Sequence, residues 1–106
     1  MKRKKRSKSS RAAGPAFVEI RIDAHGDAFI EDCGVSKVLG DEVQWVSDSG
    51  PWLIHFPRPA FAAQDFAIGP EGGSTPWSGP ALGTRGRYPY TIRGLKMKRD
   101  PNIIIK

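Results

Sequence analysis

Few side chains in this 106-residue chain are suited to chemistry, so their spacing decides what they can do. The soft and imidazole donors are Cys33, His25 and His55, with Met97 as a thioether further on. They form no Cys-x-x-Cys and no His-x-His pair, the spacings that set two metal ligands on one loop or one strand face. His25 sits in the turn-forming run Ala24-His25-Gly26-Asp27, where an imidazole is solvated. His55 alternates with Ile54 and Phe56 and so falls on the outward or half-buried side of a strand. Cys33 precedes Gly34 at a turn and reads as a small, half-buried thiol. A nucleophilic Cys33 would need a base to lower its pKa, and His25 is eight positions away across a predicted hairpin. The neighbouring Asp32 works against ionisation. The paired carboxylates Glu31/Asp32 and Asp41/Glu42 fall at turns, where they cap and solubilise. Gly72-Gly73-Ser74-Thr75 has the composition of a phosphate-cradling loop without that motif's spacing or its lysine, and reads as a flexible link. The expectation is a non-enzyme with no cofactor and no native metal site.

Charge is distributed unevenly. Seven of the 17 basic residues (Lys2, Arg3, Lys4, Lys5, Arg6, Lys8 and Arg11) lie in the first 11 positions, which carry no acid. The other 95 residues hold ten basic against eleven acidic side chains, which leaves a formal −1. The net +6 therefore belongs to an arm, and the body is close to neutral. Residues 1–15 are Lys/Arg/Ser-rich, end in Gly14-Pro15 and have no apolar anchor, so they predict a disordered basic arm. A secretion signal would continue with about 7–15 apolar residues, and Ser7-Lys8-Ser9-Ser10-Arg11 follows instead. No stretch approaches the roughly 18 apolar residues that span a bilayer. With one cysteine there is no internal disulfide, and a cytoplasmic location is expected.

Residues 16–106 must position whatever acts. The chain has room for one domain with a modest core. From Phe17 to Asp23, Val18, Ile20 and Ile22 share one face, as in a half-buried strand. A short returning strand is expected at 28–31, then an extended segment at 34–39 closed by the hairpin dipeptide Gly40-Asp41. Val43 and Trp45 face inward in the next run. Asp48-Ser49-Gly50-Pro51 then turns into Trp52-Leu53-Ile54-His55-Phe56, and these two runs predict a hairpin. Between 57 and 83, five prolines and four inner glycines forbid long elements. There, 60–67 predicts a helical turn or an irregular excursion, with Phe61, Phe66 and Trp77 tucked back onto the core. Gly86-Arg87-Tyr88-Pro89-Tyr90-Thr91-Ile92 reads as one strand, 94–99 as a basic turn, and Ile103-Ile104-Ile105 as the closing strand. Short strands separated by turn signals every 8–12 residues mark an all-β sandwich or barrel.

Three pieces in this order resemble the cupredoxin-like (plastocyanin/azurin-type) β-sandwich. They are Gly40-Asp41-Glu42-Val43-Gln44-Trp45, Trp52-Leu53-Ile54-His55-Phe56, and Gly86-Arg87-Tyr88-Pro89-Tyr90-Thr91 followed by Asp100-Pro101-Asn102-Ile103-Ile104. The likeness covers roughly residues 17–105 and is nearest to small bacterial cupredoxin-like proteins of unassigned function. It implies a Greek-key sandwich of about seven or eight strands. In copper-binding members a cysteine, a histidine and a methionine follow the strand that matches 86–91. Here the cysteine's place is held by Thr91, the loop has no histidine, and Arg93, Lys96, Lys98 and Arg99 around Met97 repel a cation.

The first expectation for function is therefore a copper-free binding module. Its ligand face is expected at the end formed by 57–83 and 94–99, where Arg58, Arg85, Arg87, Arg93, Lys96 and Lys98 would attract an anionic partner or protein. A second reading is a nucleic-acid-associated protein that docks through Lys2 to Arg11 without sequence preference. A third, a metal-binding electron-transfer protein, would take up copper and lose its colour on Cys33→Ser. The chain is expected to be a monomer or a weak dimer, depending on whether the last strand is an interior or an edge strand.

Overall fold

The computed structural model describes residues 14–93 and 101–106. The basic arm, except for its last residues Gly14 and Pro15, lies outside that range, as does the 94–99 turn with Lys96, Met97 and Lys98. The described residues contain no α-helix and nine short strands. These are β1 (Phe17–Ile22), β2 (Asp32–Val35), β3 (Glu42–Ser47), β4 (Trp52–His55), β5 (Asp65–Ile68), β6 (Gly73–Ser74), β7 (Gly86–Pro89), β8 (Thr91–Arg93) and β9 (Asn102–Ile105).

Three sheets of three strands result, in the orders β1-β3-β6, β2-β9-β7 and β5-β4-β8. β1 runs parallel to β3, and β2 runs parallel to β9. Parallel neighbours need crossovers, so the chain leaves the first sheet after β1, lays down β2 in the second and returns as β3. Alternation along each strand sends one face inward. The buried set includes Ile20, Ile22, Val35, Val43, Trp45, Ile54, Phe56, Ile92, Ile103 and Ile105, each at most 2% exposed. Trp45 on β3 is the hub. Its ring meets Phe66 of β5 at 5.0 Å, Tyr90 at 5.4 Å and Phe56 at 5.9 Å between centroids. Tilted and edge-on aromatic contacts of this kind add to the apolar burial that holds the sheets together.

Several expectations about connection change. β3 and β4 face inward as predicted but do not form a hairpin: β3 pairs with β1 and β6, whereas β4 pairs with β5 and β8. Residues 48–51, with a cis Gly50–Pro51 bond, carry the chain from one sheet to another. A Cβ on Gly50 would collide with the carbonyl oxygen of Gly69, and one on Gly72 (φ +88°) would stand 2.7 Å from Asp48 carbon. The crossing thus depends on two backbones approaching without side chains. The predicted strand at 28–31 is reduced to one bridge, Ile22 to Ala28, with β2 starting at Asp32. Gly40-Asp41 closes no hairpin, because β2 and β3 lie in different sheets.

The excursion at 57–83 is more regular than its prolines suggest. It contains β5, antiparallel to β4, and β6, antiparallel to β3. Gly72-Gly73-Ser74-Thr75 is therefore part of a sheet edge and not a flexible link. The predicted strand 86–92 is two strands: β7 pairs with β9, and β8 pairs with β4, with the switch of sheet at Tyr90. β9 is the middle strand of its sheet, which settles its place as interior.

Candidate functional site

The residues singled out for chemistry can now be placed. His55 is central in a row across the third sheet, opposite Asp65 on β5 and Thr91 on β8. Its Nδ1 lies 2.6 Å from Asp65 Oδ1, with the His55 side chain about a third exposed. The hydroxyl of Thr91 is buried and has no hydrogen-bond partner. A His–Asp pair beside a hydroxyl has the ingredients of a nucleophile relay, but that relay needs a hydrogen bond from hydroxyl to imidazole, and none forms here.

Cys33 points into the core from β2 and is 5% exposed. Burial pushes its thiol up from the ordinary value, and the Asp41 carboxylate adds to this while Lys106 opposes it. The opposing acid is thus Asp41 rather than its chain neighbour Asp32, which instead pairs with Arg87 at 3.2 Å and accepts from Asn102 at 2.9 Å. Asp41 is 2% exposed. It accepts from the backbone N–H of Ala16 at 2.9 Å and from that of Ser36 at 2.8 Å. The expectation that it solubilises a turn is corrected: it is an internal brace between β1, β2 and β3. Its partner in the sequence, Glu42, accepts from Gly79 N–H at 3.1 Å. His25 is exposed in its turn, as expected. There the Asp23 carboxylate accepts from Asp27 and His25 N–H, and the bond from Asp27 does most to hold its pKa below the ordinary value. Tyr90 accepts from Trp45 Nε1–H at 3.1 Å, and its burial pushes the phenol pKa well up.

Of the basic residues expected to form one anion site, Lys96 and Lys98 lie outside the described residues, and Arg58 donates to the carbonyl of Arg87. Arg58 stacks over Tyr88 at 4.4 Å, and Arg87 is engaged with Asp32. Arg93 stands on the third sheet, at the rim of an open cleft of about 330 Å³ lined by Pro51, Trp52, Leu53, Ala67, Ile68 and itself. The cleft is formed by β4 and β5 with the end of β8. Among the described residues its lining is apolar apart from the Arg93 side chain. Sequence reasoning missed it, because its walls come from strands whose pairing was not legible.

A type 1 copper centre needs two imidazoles and a thiolate around one point. Here the thiol is in the core, one imidazole is exposed in a turn and the other is paired with Asp65. Among the described residues no three His, Cys, Asp or Glu side chains gather closely enough to hold a metal. The donors described do not fit that centre.

No family model matches the chain, and no curated protein is similar to it at a significant level. Among solved structures, the reduced Cu(I) form of an amicyanin variant at pH 4 is similar, with a TM-score of 0.58 and 16% identity. The match covers 86% of this chain and 82% of that one. At that identity the likeness concerns the fold. The chain folds as a cupredoxin-like all-β sandwich.

Proposed function

We propose that this chain is a non-catalytic, copper-free binding module on a cupredoxin-like scaffold. It recruits an anionic partner through Lys2, Arg3, Lys4, Lys5, Arg6, Lys8 and Arg11 of the basic arm, and through Arg93 at the rim of the cleft with Lys96 and Lys98, which follow it in the sequence. One observation carries the reading. Asp41, Ser78, Thr75 and Gln44 are spent on the body's own backbone, while the excess positive charge sits in the first 11 residues.

The test is retention of the full chain on a heparin matrix under a salt gradient. Replacing the seven arm cations by Gln should lower the eluting salt strongly, and replacing Arg93, Lys96 and Lys98 should lower it further. Equal elution of the unaltered and fully neutralised chains would overturn the reading. Copper addition bears on the other half: a stoichiometric coloured complex, lost on Cys33→Ser, would refute a copper-free module.

A further inference from the structure

Trp77 does not tuck back onto the core. It is 39% exposed, and Phe17 beside it is 57% exposed. The two rings meet edge to face at 5.4 Å between centroids, 85° apart. The reason lies in the segment that carries Trp77, which closes one edge of β3 without itself being a strand.

β3 takes β1 along one side and β6 along the other, where β6 covers Val46 and Ser47. Further along that second side, the backbone groups of Val43 and Trp45 are met by residues 75–78. Thr75 N–H donates to Trp45 O at 2.9 Å, and Trp45 N–H donates to Thr75 Oγ1 at 3.1 Å. Ser78 N–H donates to Val43 O at 2.8 Å, and Val43 N–H donates to Ser78 Oγ at 3.0 Å. Each hydroxyl passes its own proton on, Thr75 to Pro76 O and Ser78 to Gly79 O, both at 2.8 Å. Gln44 Nε2–H donates to Thr75 O at 2.9 Å, and both Thr75 and Ser78 are buried.

The two hydroxyls stand where a neighbouring strand would place its carbonyls. Val43 and Trp45 are two positions apart, whereas their partners Thr75 and Ser78 are three apart. The extra residue makes a bulge with Pro76 and Trp77 at its crest. That crest puts Trp77 on the far side of β3 from β1, and its ring spans β3 to reach Phe17. Pro76 has no N–H to offer, and the carbonyls of Thr75 and Pro76 are already engaged. The segment therefore saturates β3 and gives a further strand no regular ladder to build on.

What it shields is prone to pair. Val43-Gln44-Trp45-Val46-Ser47 is uncharged, free of proline and rich in strand formers, the composition of an aggregation-prone window. An antiparallel copy centred on Gln44 would set Val43 against Trp45 and amide against amide, with no like charges opposed. We propose that residues 75–78 are an edge guard, a strap bonded through side-chain hydroxyls that seals β3 against strand addition by a second copy of this chain.

The experiment follows the full chain by sedimentation velocity over a concentration series, in about 0.3 M salt to screen like charges. Thr75→Val with Ser78→Ala removes both acceptors with little change of shape. The association constant should rise about 10-fold or more over the unaltered chain. Ser78→Ala alone should raise it less, and it decides the matter where the double variant does not fold. A core variant with a urea midpoint like that of Ser78→Ala, such as Ile103→Val, should associate as the unaltered chain does. Amide hydrogen exchange locates the contact: Val43 and Trp45 N–H should exchange fast in the dilute guard variant and slowly once it associates.

Folded Ser78→Ala that associates no more than the unaltered chain, or no more than the matched core variant, would overturn the guard. Association that leaves the Val43 and Trp45 amides exchanging as fast as in the dilute variant would overturn it too.

Discussion

Asp41 offers the sharpest perturbation of the scaffold. Its carboxylate is 2% exposed and accepts two backbone N–H groups, from Ala16 and Ser36, which come from the entry to β1 and the exit of β2. Hydrogen bonds to a charged acceptor each contribute about 1.5–3 kcal/mol, and their loss strands buried donors. Asp41→Ala removes both oxygens, so a destabilisation of about 3–5 kcal/mol is expected after partial relaxation and water entry. Against a typical total of about 5–15 kcal/mol, this consumes a large share of the stability. The midpoint of thermal unfolding should fall by about 15–30 °C. Asp41→Asn keeps one acceptor but turns an amide donor towards a donor, so it should cost less, about 2–3 kcal/mol. Urea unfolding followed by the emission of the buried tryptophans measures both. If both variants stay within about 0.5 kcal/mol of the unaltered chain, the argument that this carboxylate braces three strands is wrong.

Two other outcomes follow from the core. Tyr90→Phe leaves Trp45 Nε1–H without its acceptor and should cost about 1–3 kcal/mol. The double variant with Trp45→Phe should cost about 1 kcal/mol less than the sum of the two, as a double-mutant cycle in urea would detect. Because the Cys33 thiol sits above its ordinary 9.0 in the folded chain, it ionises more readily when unfolded. Stability should therefore decline as pH rises through about 8–10, and Cys33→Ser should flatten that decline in urea midpoints taken across the range.

The inward faces of the strands were legible in the sequence. Ile20 and Ile22, Val43 and Trp45, Ile54 and Phe56, and Tyr88, Tyr90 and Ile92 all bury as their alternation predicts. Pairing was not legible, and the reason is physical. A turn of four residues between two alternating runs serves equally for a hairpin within a sheet and for an arch between sheets. Only the close approach of Gly50 to Gly69 distinguishes them, and that contact spans distant residues. Tyr90 shows the same limit, since its period-two neighbours on both sides are inward although the strand changes sheet there. Trp77 was misplaced because aromatic residues in a Pro/Gly-rich segment give no face. Its exposure follows from Thr75 and Ser78, whose hydroxyls were not recognised as anchors. Composition also cannot register that Arg87 pairs with Asp32, 55 positions earlier in the chain.

The central position of β9 bears on how the molecule comes into being. This strand is the keystone between β2 and β7, and Asn102 contacts Asp32 across 70 residues. Until β9 slots in, both of those strands present raw edges that face each other across a gap. A ribosome-bound chain from which residues 102–105 have not yet emerged can build the Trp45 cluster but cannot close this sheet. Closure must wait for β9 to emerge, and the long-range pairing makes that step slow. During that interval the strand containing Cys33 and Val35 is open to pairing with a second nascent chain. Deleting residues 102–105 should therefore act less as trimming than as removal of a lock, with insoluble product its signature.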